Sequence, residues 1–290
     1  MANTRPMRLN RRGRLARRNW KLIASSVILT LLILAAVAAP LIAPHDPYLN
    51  QLGKRLLPPF WYPNGSFEHP LGTDHLGRDY LSRLIYGARV SLVIGLVTIM
   101  IAGVIGVALG TAAGFFGGWV DLFISYLLNV RLAMPIIIVS LGVVALLGNS
   151  FTTIIMVMGL LLWDQFLVVA RSAAQGIARM DYVASARAAG ASVPRILLRE
   201  LLPNIMPMIL VVGTVEIAMA IMLESGLSFL GLGVQPPTPS WGLMMAEGKQ
   251  NIFFASWLIV LPGICLFVLV LAINLFGDGL RDHFSPGGRK

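Results

Sequence analysis

Residues 90–113 read VSLVIGLVTIMIAGVIGVALGTAA, a run of 24 residues without a charge and without polar–apolar alternation. A helix needs about 20 apolar residues to cross the hydrocarbon core of a bilayer, whereas a membrane strand needs about ten, alternating in polarity and bounded by turns. The stretch therefore reads as a membrane-spanning helix. Along it Ala102, Gly106, Gly110, Gly114 and Gly118 recur every fourth residue. That spacing lays small side chains along one helix face, where a second backbone can approach closely.

Five further stretches share the pattern: Leu22–Ala43, Leu122–Leu147 (interrupted by Arg131 and Pro135), Phe151–Ala170 (containing Asp164), Ile205–Leu223 (containing Glu216) and Ile252–Phe276. The expected fold is all-α, a polytopic membrane protein with six transmembrane helices. Composition agrees: 57% of residues are hydrophobic, 12% are charged, and mean hydropathy is +0.77. A soluble domain carries about 25% charge. The first uncharged run, 22 residues, exceeds the apolar core of about 7–15 residues of a cleaved signal peptide, so it is expected to stay as a span. The organisation that follows is a basic tail over 1–21, a membrane domain over 22–276 and a short tail over 277–290. Inside the membrane domain lie three long polar connections, 44–89, 171–204 and 230–251.

Charge orients this arrangement. With the N-terminus inside, the inner segments 1–21, 114–121, 171–204 and 277–290 hold 8, 0, 5 and 3 Lys/Arg, against 6 outside (Lys54, Arg55, Arg78, Arg83, Arg89 and Lys249). The positive-inside rule then puts both termini in the cytoplasm, as expected for a multi-pass protein of a bacterial cytoplasmic (inner) membrane. The formal charge of +10 is concentrated at the start, in Arg5, Arg8, Arg11, Arg12, Arg14, Arg17, Arg18 and Lys21. No aromatic residue interleaves with them before Trp20, so they read as a tail on anionic lipid and not as a nucleic-acid site. Trp61, Tyr62 and Trp241 fall in the outer connections, and Trp20, Tyr48 and Tyr86 fall near span ends, where amphipathic rings favour the interface. The single cysteine, Cys265, lies in an apolar run and reads as a packed side chain.

The inner connection Arg171–Asn204 is long and helix-prone. It contains DYVASARAAGASVPRILLRELLPN from Asp181 to Asn204. Asp181 is placed to cap an Ala-rich helix that ends at Gly190, and Ser192 to cap a second helix with Pro194 in its first turn. Pro203 stands where the fifth span should begin. An Ala-rich helix this short is marginal alone in water, so it is expected to dock on another protein.

This spacing resembles the cytoplasmic coupling loop of ABC importer permeases: Glu-Ala-Ala, three residues, Gly, nine residues, Ile, one residue, Leu-Pro. Ala184, Ser185 and Ala186 occupy the triplet, Gly190 the glycine, and Leu202-Pro203 the end. Ala184 stands for the family's Glu and Glu200 for its Ile; Asp181, one turn earlier, is the candidate to supply the missing carboxylate. Two more stretches narrow the resemblance. HPLGTDHLGRD from His69 to Asp79, with Gly72, Thr73, Asp74, Gly77, Arg78 and Asp79, is similar to an outer motif of dipeptide/oligopeptide/nickel permeases, as is LSFLGLGVQPPTPSWG from Leu227 to Gly242. NLFGDGLRD, Asn274 to Asp282, resembles their C-terminal end. The chain departs from the family after the fourth-span Trp163, where Leu167-Val168 stand for an Ala-Arg pair. The resemblance covers roughly 20–286 and implies the C-type subunit of a type I importer. It further implies a second homologous permease, two ATP-binding subunits and an extracytoplasmic solute-binding protein.

A phosphate-binding loop needs G-x-x-x-x-G-K-[ST]. The only Gly-Lys pairs, Gly53-Lys54 and Gly248-Lys249, are followed by Arg and Gln. No catalytic residue and no cofactor is expected in this chain; ATP and Mg would be used by the partner ATPases. Asp164 and Glu216, inside spans, cost about 2.5–3.5 kcal/mol each at a helix centre and should face protein or water. They read either as a pathway lining for an ammonium or cation or as structural pairs, with Arg131 marking the inner end of the third span. His45, Asp46, His69, Asp74, His75 and Asp79 are read as turn residues, with no metal site expected. Peptides, nickel chelates, and glutathione-like or opine-like solutes all fit the resemblance. An ion-coupled secondary carrier is the rival of another class, but it would need paired repeats with broken helices, which the sequence does not show.

Overall fold

A computed structural model describes residues 11–284, with side chains from Trp20 onward. The expectations for Arg5, Arg8 and residues 285–290 lie outside the described residues. The first helix, α1, runs Arg11–Val37, so half of the expected tail is already helical. It breaks at Ala38, and a short α2 follows at Ala39–Ile42 with Pro40 in its first turn. An irregular segment then leads to α3, Tyr80–Phe116. At about 1.5 Å per residue, α3 is longer than a bilayer core is thick and carries Arg83 and Arg89 beyond it.

The turn at Gly117 (φ +62°) leads into α4, Gly118–Ala133, and then α5, Ile136–Leu147. The expected third span is thus two helices meeting at 84°. Pro135 is the cause. It forces extended backbone on Met134 (φ −98°, ψ 119°), which cannot continue a helix. The fourth span is α6, Phe151–Leu161, and α7, Asp164–Ile177, joined by a hitch at Leu162–Trp163. Next come α8, Asp181–Ala188, and a continuous helical stretch over Val193–Phe229. That stretch comprises α9 (Val193–Arg195), a π-helical turn at Ile196–Leu201, and α10 (Leu202–Phe229). Pro203 therefore does not separate loop helix from span. Its missing N–H leaves the Arg199 carbonyl without an α-helical donor, and the wider π turn precedes it. Finally α11 covers Trp241–Gly248 and α12 covers Trp257–Phe284, running past the expected end at Phe276. Five of these helical stretches are long and apolar enough to cross a membrane, and the bent α4–α5 pair makes a sixth.

Two large cores hold the spans together, with α3 and α10 in both, and a small third cluster of Ala113, Ile124, Leu128 and Leu167 packs α4 on α3 and α7. One large core packs α3, α6, α7 and α10 around Ile94, Met158, Phe166 and Ile205. The other packs α1, α3, α10, α11 and α12 around Tyr80, Ile221, Trp241 and Leu269, with Cys265 at its edge. The strip of small residues on α3 does what its spacing predicts. A Cβ added at Gly106, Gly110 or Gly114 would lie 2.3, 2.5 and 2.5 Å from the carbonyl oxygens of Trp163, Leu167 and Arg171. These are successive turns of α7, so the two backbones are in contact along the strip. Gly118 lies past the turn and faces open space. The opposite face of α3 is apolar and exposed at Leu96, Met100 and Val104, as lipid permits.

Candidate functional site

The polar segments collect at the two ends of α3. At the Tyr80 end sit residues 44–79 and the connection that contains α11. At the Phe116 end sits α8, whose Arg187 guanidinium lies 4.7 Å from the centre of the Phe115 ring.

At the Tyr80 end the residues of the 69–79 motif are structural anchors. Asp79 is the N-cap of α3: its Oδ2 accepts from Ser82 N (2.8 Å) and Ser82 Oγ (2.7 Å). Asp74 Oδ1 accepts from the backbone N–H groups of Leu76 (2.8 Å) and Arg78 (3.0 Å), closing a tight turn. Gly72 and Gly77 both have positive φ, and a Cβ at Gly77 would come within 1.8 Å of the Gln51 carbonyl oxygen. Thr73 Oγ1 donates to the Lys54 carbonyl and accepts from Leu57 N at 2.9 Å.

The buried charges of this end form one network. Arg78 Nε donates to Asp74 Oδ2 at 2.6 Å, and its Nη2 reaches Glu247 Oε1 at 3.1 Å. Arg83, fully buried at 0% exposure, donates to Glu247 Oε2 at 2.9 Å and lies 3.3 Å from Asp74 Oδ2. Two guanidinium groups thus clamp segment 44–79 to α11 through two carboxylates. Trp241, which falls in an outer connection, is buried. Its Nε1–H donates to the Leu84 carbonyl at 3.0 Å, and it packs on Gly87, where a Cβ would meet Trp241 at 2.9 Å. Trp61 and Tyr62 are exposed.

Glu224, one residue past the expected end of the fifth span, is fully buried. Its Oε1 accepts from Ser228 Oγ (2.7 Å) and Ser240 Oγ (3.1 Å), while Ser240 also caps α11 by accepting from Leu243 N. This acid holds the end of α10 to the start of α11.

At the opposite end, Gly190 (φ +78°) stands at the position after the helix cap, as its place in the sequence predicts. Gly190 N donates to Arg187 O (3.0 Å) and Ala191 N to Ala186 O (3.0 Å), which is the paired pattern of a Schellman motif. Asp181 is not the cap. Met180 occupies that position without a side-chain bond, and Asp181 is the first helical residue, still favourably placed at the positive helix end. Only Val183 of α8 is fully inserted into the core; Asp181, Ala184, Ser185 and Gly190 are exposed, and Ala186 is half-buried. Leu202 and Pro203 continue into α10, Leu202 half-buried and Pro203 exposed.

Within the spans, Arg131 does not mark an end. It stands beside the α4–α5 bend and faces the hitch in the fourth span. There its Nε donates to the Leu161 carbonyl (2.6 Å) and its Nη2 lies 3.5 Å from Asp164 Oδ2. The hitch frees the Leu161 carbonyl, and the guanidinium takes it up. Asp164 is the first residue of α7, where the helix dipole favours an acid. Glu216 on α10 is buried, and Asp164 and Arg131 are charges that act on it. Arg131 pairs with Asp164, and among the described residues Glu216 has no ion-pair partner. Asp121 and Arg171, at the other end of α7, form a bidentate pair at 2.5 and 2.7 Å.

Residues 106–290 match the family described as "Binding-protein-dependent transport system inner membrane component". The chain belongs to that family of transport permeases. The permease also matches, over residues 14–59, the description "N-terminal TM domain of oligopeptide transport permease C". It is 40% identical over 260 residues to the di/tripeptide transport system permease protein DppC of Pseudomonas aeruginosa (strain UCBPP-PA14), covering 90% of this chain and 86% of that one. It is 36% identical to the dipeptide transport system permease protein DppC of Haemophilus influenzae (strain ATCC 51907 / DSM 11121 / KW20 / Rd), covering 90% and 88%. Its fold matches a chain of the MetNI methionine ABC transporter in inward-facing conformations, with TM-score 0.57 and 18% identity over 71% of this chain and 97% of that one. The permease is thus a multi-span inner-membrane transport protein with a type I ABC importer fold, and it is not an enzyme. Membership implies a second permease, ATP-hydrolysing subunits and a solute-binding protein.

Sequence reasoning named Asp74, Arg78, Asp164, Glu216 and Gly190 but gave no site role to Glu247, Glu224 or Arg171, among others. Glu247 was one acid in a polar connection, Glu224 sat past a span boundary, and Arg171 read as a loop cation. Only Glu224 carried a local signal, Ser228 four residues later, which lies on the same helix face.

Proposed function

We propose that this permease is the C-type subunit of an importer for dipeptides, oligopeptides or similar zwitterionic solutes. It would line the pathway together with a second, homologous permease. The carrying observation is α8, a short Ala-rich helix ended by a Schellman turn, most of whose surface has no partner among the described residues. A helix of this length gains stability from tertiary contact, so its open face suits a docking surface for a cytoplasmic ATPase. In this reading Asp181, Ala184, Ser185, Ala186 and Gly190 meet the ATPase, and the continuous helix through Leu202 and Pro203 transmits its motion to α10. The chain itself binds no nucleotide; ATP and Mg belong to the two partner ATPases.

The 44–79 and 230–256 segments would then face outward toward the solute-binding protein, with both termini in the cytoplasm. Reporter fusions within 50–85 and 235–245 should give outside signals, and fusions within 175–200 inside signals. The same compartment on both sides of α10 would defeat this orientation.

The substrate reading draws on the named relatives and on Glu216. Arg131 engages Asp164, which leaves the cluster with one acid more than it has cations. A passing ammonium needs such a counter-charge, held weakly enough to release it. No histidine lies in the same span, which disfavours direct nickel coordination. The expected result is saturable dipeptide uptake by the reconstituted complex with its binding protein, undiminished by free or chelated nickel. Saturable nickel uptake without peptide uptake would end the peptide reading and leave the importer architecture standing.

A further inference from the structure

We propose that His45, Glu68 and His69 form a binding site for one divalent transition-metal ion of the Zn2+ class, at the end of the permease that carries the 44–79 segment. One potential ligand atom from each of the three side chains lies within 4.8 Å of the others. The two histidines approach from separate stretches of chain, with ring centres 4.7 Å apart and planes tilted by 37°.

The state of His69 makes this more than a coincidence of polar groups. Its side chain is buried at 2% exposure, and its Nδ1 lies 2.9 Å from Asp79 Oδ1. Asp79 is fixed in turn as the N-cap of α3. A carboxylate at Nδ1 selects the tautomer that carries its proton there, which leaves Nε2 with a lone pair. That arrangement, carboxylate to histidine to metal, is how protein sites orient and strengthen an imidazole ligand. Here Nε2 is buried and has no hydrogen-bond partner. It points toward Glu68 Oε1 at 4.0 Å. A buried acceptor without a partner is costly, and a cation bound at Nε2 would remove that cost. His45 Nδ1 likewise has no hydrogen-bond partner, its nearest acid being Asp79 Oδ1 at 3.6 Å.

The donor set identifies the ion. Two imidazoles and one carboxylate favour Zn, Cu or Ni over Ca or Mg, and three protein ligands with a water complete a tetrahedral Zn2+ shell. Ligands at about 2.0–2.1 Å from one ion lie about 3.3 Å apart, so the cluster must close by up to about 1.5 Å. Glu68 is exposed and His45 is half-buried, so both have freedom to move. Lys54 now holds Glu68 Oε1 and is the cation a metal must displace. The neighbouring trio Asp74, His75 and Glu247 carries no such case, because Arg78 and Arg83 already neutralise its acids. From the sequence, His45 and His69 could suggest a metal site but read as part of a tight-turn segment, and Glu68 is not among the candidates. His45 and His69 have no motif-like spacing, and only the fold of the segment brings them together.

The test uses the purified, chelator-treated importer complex and Zn2+ alone, titrated by calorimetry and in competition with a chromophoric chelator. His69 is left intact because it supports the α3 cap. The expected result is one site per permease that His45→Ala and Glu68→Gln each weaken by about tenfold or more. Lys54→Met should tighten the same site by removing the competing ammonium. X-ray absorption should show two imidazoles in the zinc shell. A wild-type complex that holds no more Zn2+ than the His45→Ala/Glu68→Gln double variant would overturn the proposal, as would a zinc shell without imidazole. Neither outcome depends on which solute is carried.

Discussion

Arg83→Met should destabilise the permease by about 3–5 kcal/mol, the usual cost of removing one partner from a buried charge network. Arg83 is at 0% exposure and serves Glu247 and Asp74 at once. Methionine fills much of its volume but leaves one guanidinium, Arg78, for the buried Asp74 and the partly buried Glu247. Because this network joins the 44–79 segment to α11, the loss should fall on the attachment of that segment. Thermal unfolding of the purified complex should shift down by on the order of 10 °C, and protease should cut the 44–79 segment first. Arg83→Met combined with Glu247→Gln should recover part of the loss, since it also removes the stranded charge. Unchanged unfolding and proteolysis in Arg83→Met would show that the network is not what fastens the segment.

Gly190→Val should leave the permease inserted and folded yet reduce transport about tenfold or more. The φ of +78° is the left-handed region, where an ordinary L residue costs about 1–2 kcal/mol and a β-branched one more. A Cβ at Gly190 meets nothing within 4 Å, so the cost is backbone strain and not a clash. The strained turn should open or redirect α8, which is held to the rest of the chain mainly through Val183. Each 1.4 kcal/mol lost at the ATPase contact is a factor of ten in docking. Gly190→Asn tolerates the same φ and should keep most of the activity. The measurements are membrane yield, co-purification of the ATPase, and solute uptake. Normal uptake by Gly190→Val would remove α8 from the coupling path.

The spans were legible in the sequence because hydrophobic length is a local property. So was the contact of α3 with another backbone through Gly106, Gly110 and Gly114, since a four-residue spacing fixes a helix face. Gly190 was legible as well, as a glycine directly after an Ala-rich helix. Boundaries were less so: α3 begins at Tyr80 rather than Val90, and α12 ends at Phe284 rather than Phe276, because a helix continues past the bilayer wherever capping and packing allow.

What the chain by itself determined is the number of hydrophobic crossings, the bend at Pro135 and the left-handed turn at Gly190. Each follows from the length of an apolar run or from the φ/ψ limits of one residue type. What only the tertiary structure decided is which polar groups meet. Arg83 and Glu247 are 164 residues apart, Arg78 and Glu247 169, and Arg131 pairs with Asp164 across two spans. Trp241 read only as an aromatic of an outer connection and is a buried anchor on Gly87. Periodicity says which face of a helix is apolar, but a charge in a connection has no period. Its partner is chosen by how the helices pack, because in a low-dielectric interior each buried charge must be matched by whatever the fold brings within reach.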